Sequence, residues 1–341
     1  MAAVRYVGAL VDGRMHGRGR IILTDDGSVV FDGTFRHGAR DGSGTLALPN
    51  KITVTSQWAD DALAGEAVIN VDGKETYRGA MCNGRRDGHG RNEYEGVGVY
   101  VGAFRNDKAR HGRGVMTFHC DRGEYDGEWS LDEITGKGKA TFKPQGIVAQ
   151  GEWQRGMLHG RGCIQFANDD RYEGEFCNGM RSGQGVLTMA NGDAYAGQWD
   201  SDLPNGEGRF TSSNGDIFTG RFVCGRRQGQ GQLRIASTGE TLTGEWVDDM
   251  LTGPGKSVRD DGTVYEGDFL DGVRHGFGTL TPGGDSAGRY EGAWVAGRRH
   301  GRGRIELPDG STVVGQFDQG ALVRVLEYTF ARDSPWADPS T

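Results

Sequence analysis

Large apolar residues recur along this chain at alternate positions, in short bursts separated by turns. Tyr265-Glu266-Gly267-Asp268-Phe269 is one burst, alternating bulky and polar side chains with the period of a half-buried strand. Leu270-Asp271-Gly272-Val273-Arg274 is turn material, and His275-Gly276-Phe277-Gly278-Thr279-Leu280 starts a return strand. The return strand alternates most clearly at Ile164/Phe166, Leu187/Met189, Leu233/Ile235 and Ile305/Leu307. Asp26-Gly27, Asp72-Gly73, Asn191-Gly192, Asn214-Gly215, Asp261-Gly262 and Asp309-Gly310 fall between such units and suit tight turns with positive φ. Each unit therefore predicts a β-hairpin.

The unit repeats. An aromatic-x-Gly-x-aromatic strand precedes Gly-x-Gly by about six residues, and its first slot falls at Tyr6, Phe31, Val54, Tyr77, Tyr100, Tyr125, Ala149, Tyr172, Tyr195, Phe218, Leu242, Tyr265, Tyr290 and Val313. Those fourteen anchors are 23 to 25 residues apart. The third slot is Gly in every unit but one, where Ser56 replaces it. The fifth slot holds Trp58, Trp129, Trp153, Trp199, Trp246 and Trp294, six of the chain's seven tryptophans, and Phe35, Phe104, Phe176, Phe222, Phe269 and Phe317 fill six more. A glycine in mid-strand weakens the strand unless something must approach its backbone closely. An aromatic ring of the neighbouring hairpin is expected to lie across it.

Single hairpins are marginal, so the units must stack to bury their rings. The predicted fold is all-β, an elongated repeat meander of about fourteen hairpins forming a twisted antiparallel rod. At ~4.8 Å per strand, twenty-eight strands give a rod on the order of 130 Å long. The array is expected over residues 1 to 330, with a C-terminal capping or pairing strand at 322 to 330 and a loose tail at 331 to 341.

Composition narrows the alternatives. Glycine accounts for 61 of 341 residues, far above the usual ~7%, and argues against helical domains. Eight prolines and no sustained three-residue glycine period exclude collagen. Seven Trp, ten Tyr and fourteen Phe are too many for a disordered chain. No apolar run approaches the length of a membrane helix, and the start, Met1-Ala2-Ala3-Val4-Arg5-Tyr6, carries neither a signal-peptide core nor a myristoylation glycine. Five cysteines without a Cys-x-x-Cys fit a reducing cytosol. A net charge of −8 argues against nucleic acid as the main partner.

Tyr290-Glu291-Gly292-Ala293-Trp294-Val295-Ala296-Gly297-Arg298-Arg299-His300-Gly301-Arg302-Gly303 resembles the MORN repeat (membrane occupation and recognition nexus) at every defining slot. The segments Tyr172 to Gly185 and Tyr265 to Gly278 follow closely, and the resemblance covers residues 6 to 322. Ser56 and Ala67 replace glycines in one unit, and Val54, Ala149, Leu242 and Val313 replace the first aromatic in theirs, so packing is expected to be poorer there. In MORN proteins with catalytic activity, the catalysis lies in a separate domain, and the resemblance, running over nearly all of these residues, leads to the expectation of none here. Stand-alone arrays resemble cytoskeletal scaffolds and adaptors of cilia, flagella and cell junctions. Some self-associate through terminal repeats, and phosphoinositide binding has been proposed for others.

Three kinds of chemistry are weighed against structural roles. His16, His159, His275, His300 and His111 share the slot before Gly-x-Gly, but the same slot holds Asp41, Asp87, Ser182, Asn205 and Thr252, which reads as a polar turn position. His159 with Cys163, or Cys82 with Cys177, does not supply the four ligands zinc needs. Arg18, Arg113, Arg161 and Arg302 within Gly-x-Gly, with the pairs Arg85-Arg86, Arg226-Arg227 and Arg298-Arg299, form rows able to meet phosphates, though without the cluster polybasic lipid binding needs. No catalytic, metal or cofactor residue is assigned.

The expected function is a non-enzymatic scaffold or adaptor presenting an extended surface for protein–protein interaction. The resemblance places it in a cytoskeletal assembly: cilium, flagellum or cell cortex, with cytoskeletal or axonemal partners. The alternative is a phosphoinositide-binding membrane-recruitment module; a targeting subunit of an enzyme complex is a third reading. Candidate interaction residues are Tyr265, Phe269, Tyr290, Trp294, Arg298, Arg299, Leu326, Tyr328, Phe330 and Trp336. The segment Leu322-Val323-Arg324-Val325-Leu326-Glu327-Tyr328-Thr329-Phe330 either caps its own sheet or pairs with a second chain as a homodimer edge.

Overall fold

The computed structural model describes residues 3–284 and 288–334, without the side chains of 108 and 109. Among the described residues there are twenty-eight strands and no helix. The chain divides into two bodies, residues 1–167 with 177–179, and residues 168–176 with 180–341. In the first body, the strands from β1 (Val4–Val11) to β14 (Met157–Gln165) pair in chain order, each antiparallel to the next. The second body begins with β15 (Arg171–Cys177), and from β16 (Met180–Thr188) to β28 (Ala321–Thr329) the same meander repeats. The fourteen-hairpin count read from the anchors is the count observed.

One hairpin shows why the sequence folds this way. In β25 (Arg289–Val295) and β26 (Arg298–Glu306), Gly292 stands opposite Gly303 and Tyr290 opposite Ile305. The Tyr290 ring lies over both glycines, and a Cβ at Gly303 would stand 2.5 Å from it. The ring covering the third-slot glycine thus comes from the same hairpin, not from the neighbour as the repeat suggested. The neighbour contributes differently: Trp294 Nε1 donates to the carbonyl of Gly278 in the preceding return strand, at 3.1 Å. Gly301, the first glycine of Gly-x-Gly, has φ of +63° beside a β-bulge, a conformation that favours glycine.

The rings zigzag along one sheet face. A first-slot ring packs edge-on against the fifth-slot ring of its own hairpin and of the next, as Tyr290 does with Trp294 (5.3 Å) and Phe317 (5.0 Å); Tyr6 and Tyr77, whose own fifth slots are Leu10 and Met81, meet only the next hairpin's Phe35 and Phe104. Such T-shaped pairs add about 0.5–1.5 kcal/mol beyond area burial. The zigzag lapses where the first slot is not aromatic, and a leucine stands in for the missing ring. Those hairpins are the ones that carry Leu63, Leu158, Leu251 and Leu322 on the return strand, opposite Trp58, Trp153, Trp246 and Phe317. Leu158 and Leu251 are buried, and Leu251 Cδ1 fills the space over Gly244 that a ring covers elsewhere.

Candidate interaction site

Seven hairpins carry an arginine where the others carry Met, Leu, Ile or Pro, near the start of the return strand: Arg40, Arg86, Arg110, Arg181, Arg227, Arg274 and Arg299. Five of them form one structure. The backbone N–H and Nε of Arg181 donate to Asp202 Oδ1 at 2.9 and 3.0 Å, and Nη2 donates to the Asp202 carbonyl at 2.7 Å. The Asp202 N–H donates back to the Arg181 carbonyl at 3.1 Å. The same three bonds tie Arg40 to Asp61, Arg86 to Asp107, Arg110 to Asp132 and Arg227 to Asp249. Each aspartate is the last residue of the next hairpin's turn, so the clamp stitches one repeat to its successor.

The guanidinium also lies on the ladder. Arg181 Cζ is 4.4 Å from the Trp199 centroid, a cation–π contact. Asp202 has φ of +68°, the region where a turn normally asks for glycine, and Asp tolerates it because its carboxylate is held. The Arg40 backbone N–H, then its guanidinium, hold the Asp61 carboxyl below its ordinary value of 3.8. Where the clamp slot is apolar, as at Met15, Leu158 and Leu251, the following turn ends in Gly38, Gly179 and Gly272.

This divides the arginine rows. Arg86 and Arg227, the second members of their pairs, serve inside clamps rather than facing phosphates. Arg226 and Arg298 are exposed and reach Asp248 (3.1 Å) and Gln319 (2.9 Å). Arg113 of the Gly-x-Gly row lines an outer-face groove of about 510 Å³ with Lys137, Lys139 and Arg161 against Asp126, Glu128 and Glu152. In the His slot, His111 and His159 bury Nδ1 without a hydrogen-bond partner. Among the described residues no cluster of three or more His, Cys, Asp or Glu could hold a metal ion. No helix among the described residues is long and apolar enough to cross a membrane.

Of the residues expected to meet partners, Tyr265, Phe269, Tyr290 and Trp294 are at most 4% exposed. They are the core of the ladder, closed by stacking of successive hairpins, and offer no open face. Arg299 is half-buried over the Tyr290 ring, its Cζ 4.9 Å from the centroid. Trp336 lies outside the described residues. Leu326, Tyr328 and Phe330 are exposed. In β28, Tyr328 stands opposite Val313, Val325 opposite Gly315 and Leu322 opposite Phe317, on strand β27 (Thr312–Asp318). These three continue the ladder face, yet Leu322, Val325 and Tyr328 remain 40–54% exposed. Tyr328 packs on Phe330 at 4.8 Å. β28 has no Gly-x-Gly, so it lacks the bare carbonyl seat that receives the next hairpin's tryptophan elsewhere.

The sequence pattern of the MORN repeat matches residues 6–28, 31–52, 100–119, 125–146, 150–171, 172–194, 195–217, 218–238, 243–264, 265–286 and 290–312. These segments make up more than half of the chain, which therefore belongs to the MORN-repeat family. The hairpins anchored at Val54, Tyr77 and Val313 fall outside the matched segments but have the same fold. Rat Alsin is 30% identical over 164 residues, 47% of this chain and 9% of Alsin, and human Alsin is 29% identical over the same share. The chain thus spans less than a tenth of the curated relatives it matches. Among solved structures, the TCP10 domain of Danio rerio CPAP, in complex with a STIL peptide, aligns with 72% of this chain and 96% of that domain at 11% identity and a TM-score of 0.35. The Drosophila melanogaster SAS-4 TCP domain, bound to a proline-rich motif of Ana2, aligns with 43% of this chain and 81% of its own at 19% identity and a TM-score of 0.28.

Proposed function

We propose that the chain is a non-enzymatic scaffold or adaptor that holds partner proteins in a cytoskeletal assembly of a cilium, flagellum or cell cortex. The observation that carries the reading is the unclosed end of the ladder face. Leu322, Val325, Tyr328 and Phe330 form an apolar patch at the last hairpin, 40–54% exposed, on the face that the inner hairpins bury. Exposed apolar surface beside a sheet edge is a docking surface, and a second copy of this chain or a cytoskeletal protein would cover it. The extended rod expected from the repeat belongs to the same reading.

Light scattering on the full chain, with small-angle X-ray scattering for length, tests the self-association arm. A dimer that becomes a monomer in Tyr328→Glu with Val325→Glu supports it. Retention of a tagged full chain in detergent-extracted cytoskeletons, lost in the same variant, supports the partner arm. A chain monomeric in both forms and wholly extracted by detergent overturns the reading. Head-group-dependent liposome binding lost in Arg298→Glu with Arg299→Glu would favour membrane recruitment instead.

A further inference from the structure

The molecule contains its own template for a ligand. In five clamps an arginine offers two donors, its backbone N–H and Nε, to one carboxylate oxygen of the next turn. Arg274 and Arg299 break the rule, because their following turns end in Gly297 and Gly320. Arg274 has a substitute: Nη2 lies 3.7 Å from Glu240 Oε1, each side chain 16% exposed. Arg299 has none; no carboxylate approaches it among the described residues.

The space for one is nevertheless there. The turn is placed as in the other seams, with the Gly320 N–H donating to the Arg299 carbonyl at 3.0 Å. A Cβ at Gly320 would meet nothing within 4 Å, whereas one at Gly297 would meet Val273 at 3.3 Å. With glycine in place of the clamp aspartate, the Arg299 and Arg274 guanidinium groups both settle on their own hairpin's ring, each 4.9 Å from the centroid of Tyr290 or Tyr265, against 5.4 Å for Arg227 over Phe218 and 5.6 Å for Arg181 over Tyr172.

We propose that Arg299 and the space beside Gly320 form a carboxylate socket that takes an aspartate or glutamate side chain of an acidic peptide from a partner protein. The inference rests on the protein-interaction reading above and names the chemistry of what is held. A peptide fits better than a free anion because Leu322, two residues beyond Gly320, opens the apolar patch, so one ligand with an acidic and an apolar side chain meets both. A guanidinium with an adjacent N–H is matched to a carboxylate by fork geometry and charge.

The full chain labelled with 15N-arginine is titrated with N-acetyl-aspartate methylamide and, separately, with inorganic phosphate, while the arginine Nε–Hε resonances are followed. The expected result is a saturable shift at Arg299 with the aspartate probe, and none at Arg181 or Arg227, whose places are filled. Gly320→Asp, which supplies the carboxylate in cis, should show the shifted Arg299 resonance without probe and weaken probe binding at least tenfold, with the other clamp resonances unchanged. No shift at Arg299, an equal shift at exposed Arg298 and Arg302, or full response in Gly320→Asp overturns the socket. Tighter binding of phosphate than of the aspartate probe overturns its assignment to a peptide. The scaffold reading fails separately, through the light-scattering and extraction results, since Tyr328→Glu with Val325→Glu leaves Arg299 and Gly320 intact.

Discussion

Replacing Asp202 by glycine tests whether the clamps hold hairpins together. The substitution deletes two charge-assisted bonds, from the Arg181 N–H at 2.9 Å and Nε at 3.0 Å, and leaves the Nη2 bond to the main-chain carbonyl. Such bonds contribute about 1.5–3 kcal/mol when fully buried. Asp202 is 49% exposed, which draws each toward the ~0.2–1 kcal/mol of solvent-exposed pairs. Glycine relieves the +68° φ of Asp202, worth about 1 kcal/mol, but gains about as much freedom in the unfolded chain. The net loss is then about 1–2 kcal/mol. Arg181→Met with Asp202→Gly rebuilds the seam that Met15 and Gly38 make beside the Tyr6 ring elsewhere in the chain. The double variant should therefore be more stable than the sum of the singles by about 1 kcal/mol. Urea unfolding followed by tryptophan fluorescence reads this directly, since Trp199 lies under the Arg181 guanidinium. A coupling indistinguishable from zero would mean that the clamps are decoration on a sheet held by its rings alone.

Four further outcomes follow from the same geometry. Tyr265→Phe removes only the hydroxyl, which donates to the Asp268 carbonyl at 2.9 Å with the His275 carbonyl at 3.5 Å, so it should cost about 1 kcal/mol in urea; a loss above about 3 kcal/mol would refute ring packing as the main term. Tyr77, Tyr100, Tyr125, Tyr172, Tyr195 and Tyr265 are pushed up to about 12, chiefly by burial. Their contribution is complete below the ordinary value of 10.0 and lost as pH rises through about 12; tyrosinate absorbance should thus appear together with loss of sheet circular dichroism, and ionisation near 10 with the sheet intact would contradict it. Asp61 is held below 3.8, so its contribution is complete above that value and falls as pH drops below it; Asp61→Asn should flatten the acid limb of the urea midpoint, and an unchanged limb would deny the clamp a role. Leu242→Tyr should collide with Leu251 and destabilise by about 1–3 kcal/mol, while Leu242→Tyr with Leu251→Arg restores most of it; equal loss in both would refute the exchange of ring for leucine.

The hairpins were legible because two periods coincide. Alternation within Tyr290–Trp294 marks a strand, and return of the same slots every 23 to 25 residues fixes how many strands there are and in what order they pair. What covers the third-slot glycine was not legible from spacing. Tyr290 reaches Gly292 by lying along its own strand, a side-chain direction that alternation leaves open. The same gap explains the four rings expected on a binding face. A period-2 pattern says that Tyr265, Phe269, Tyr290 and Trp294 share a face, but whether water or the next hairpin covers it depends on how the twisted strands stack.

The clamp was written in the sequence and is read only across repeats. Arg40 and Asp61, or Arg227 and Asp249, are 21 and 22 residues apart, close to one repeat, so each pair joins a slot in one unit to a slot in the next. Slot-by-slot reading treats both as polar turn residues. Compared across units, the two slots vary together: arginine with a turn ending in Asp, an apolar residue with a turn ending in Gly. The leucines do likewise, standing where the first aromatic is missing. Imperfect repeats in one chain thus act as their own set of variants, and paired departures are compensations that keep packing constant. A departure left uncompensated is then the informative one. Arg299 faces Gly320 with no carboxylate, in the hairpin next to the only ladder surface left exposed at the C-terminal edge among the described residues. Local rules that hold along a fold and fail at one place mark where selection acted on something other than stability.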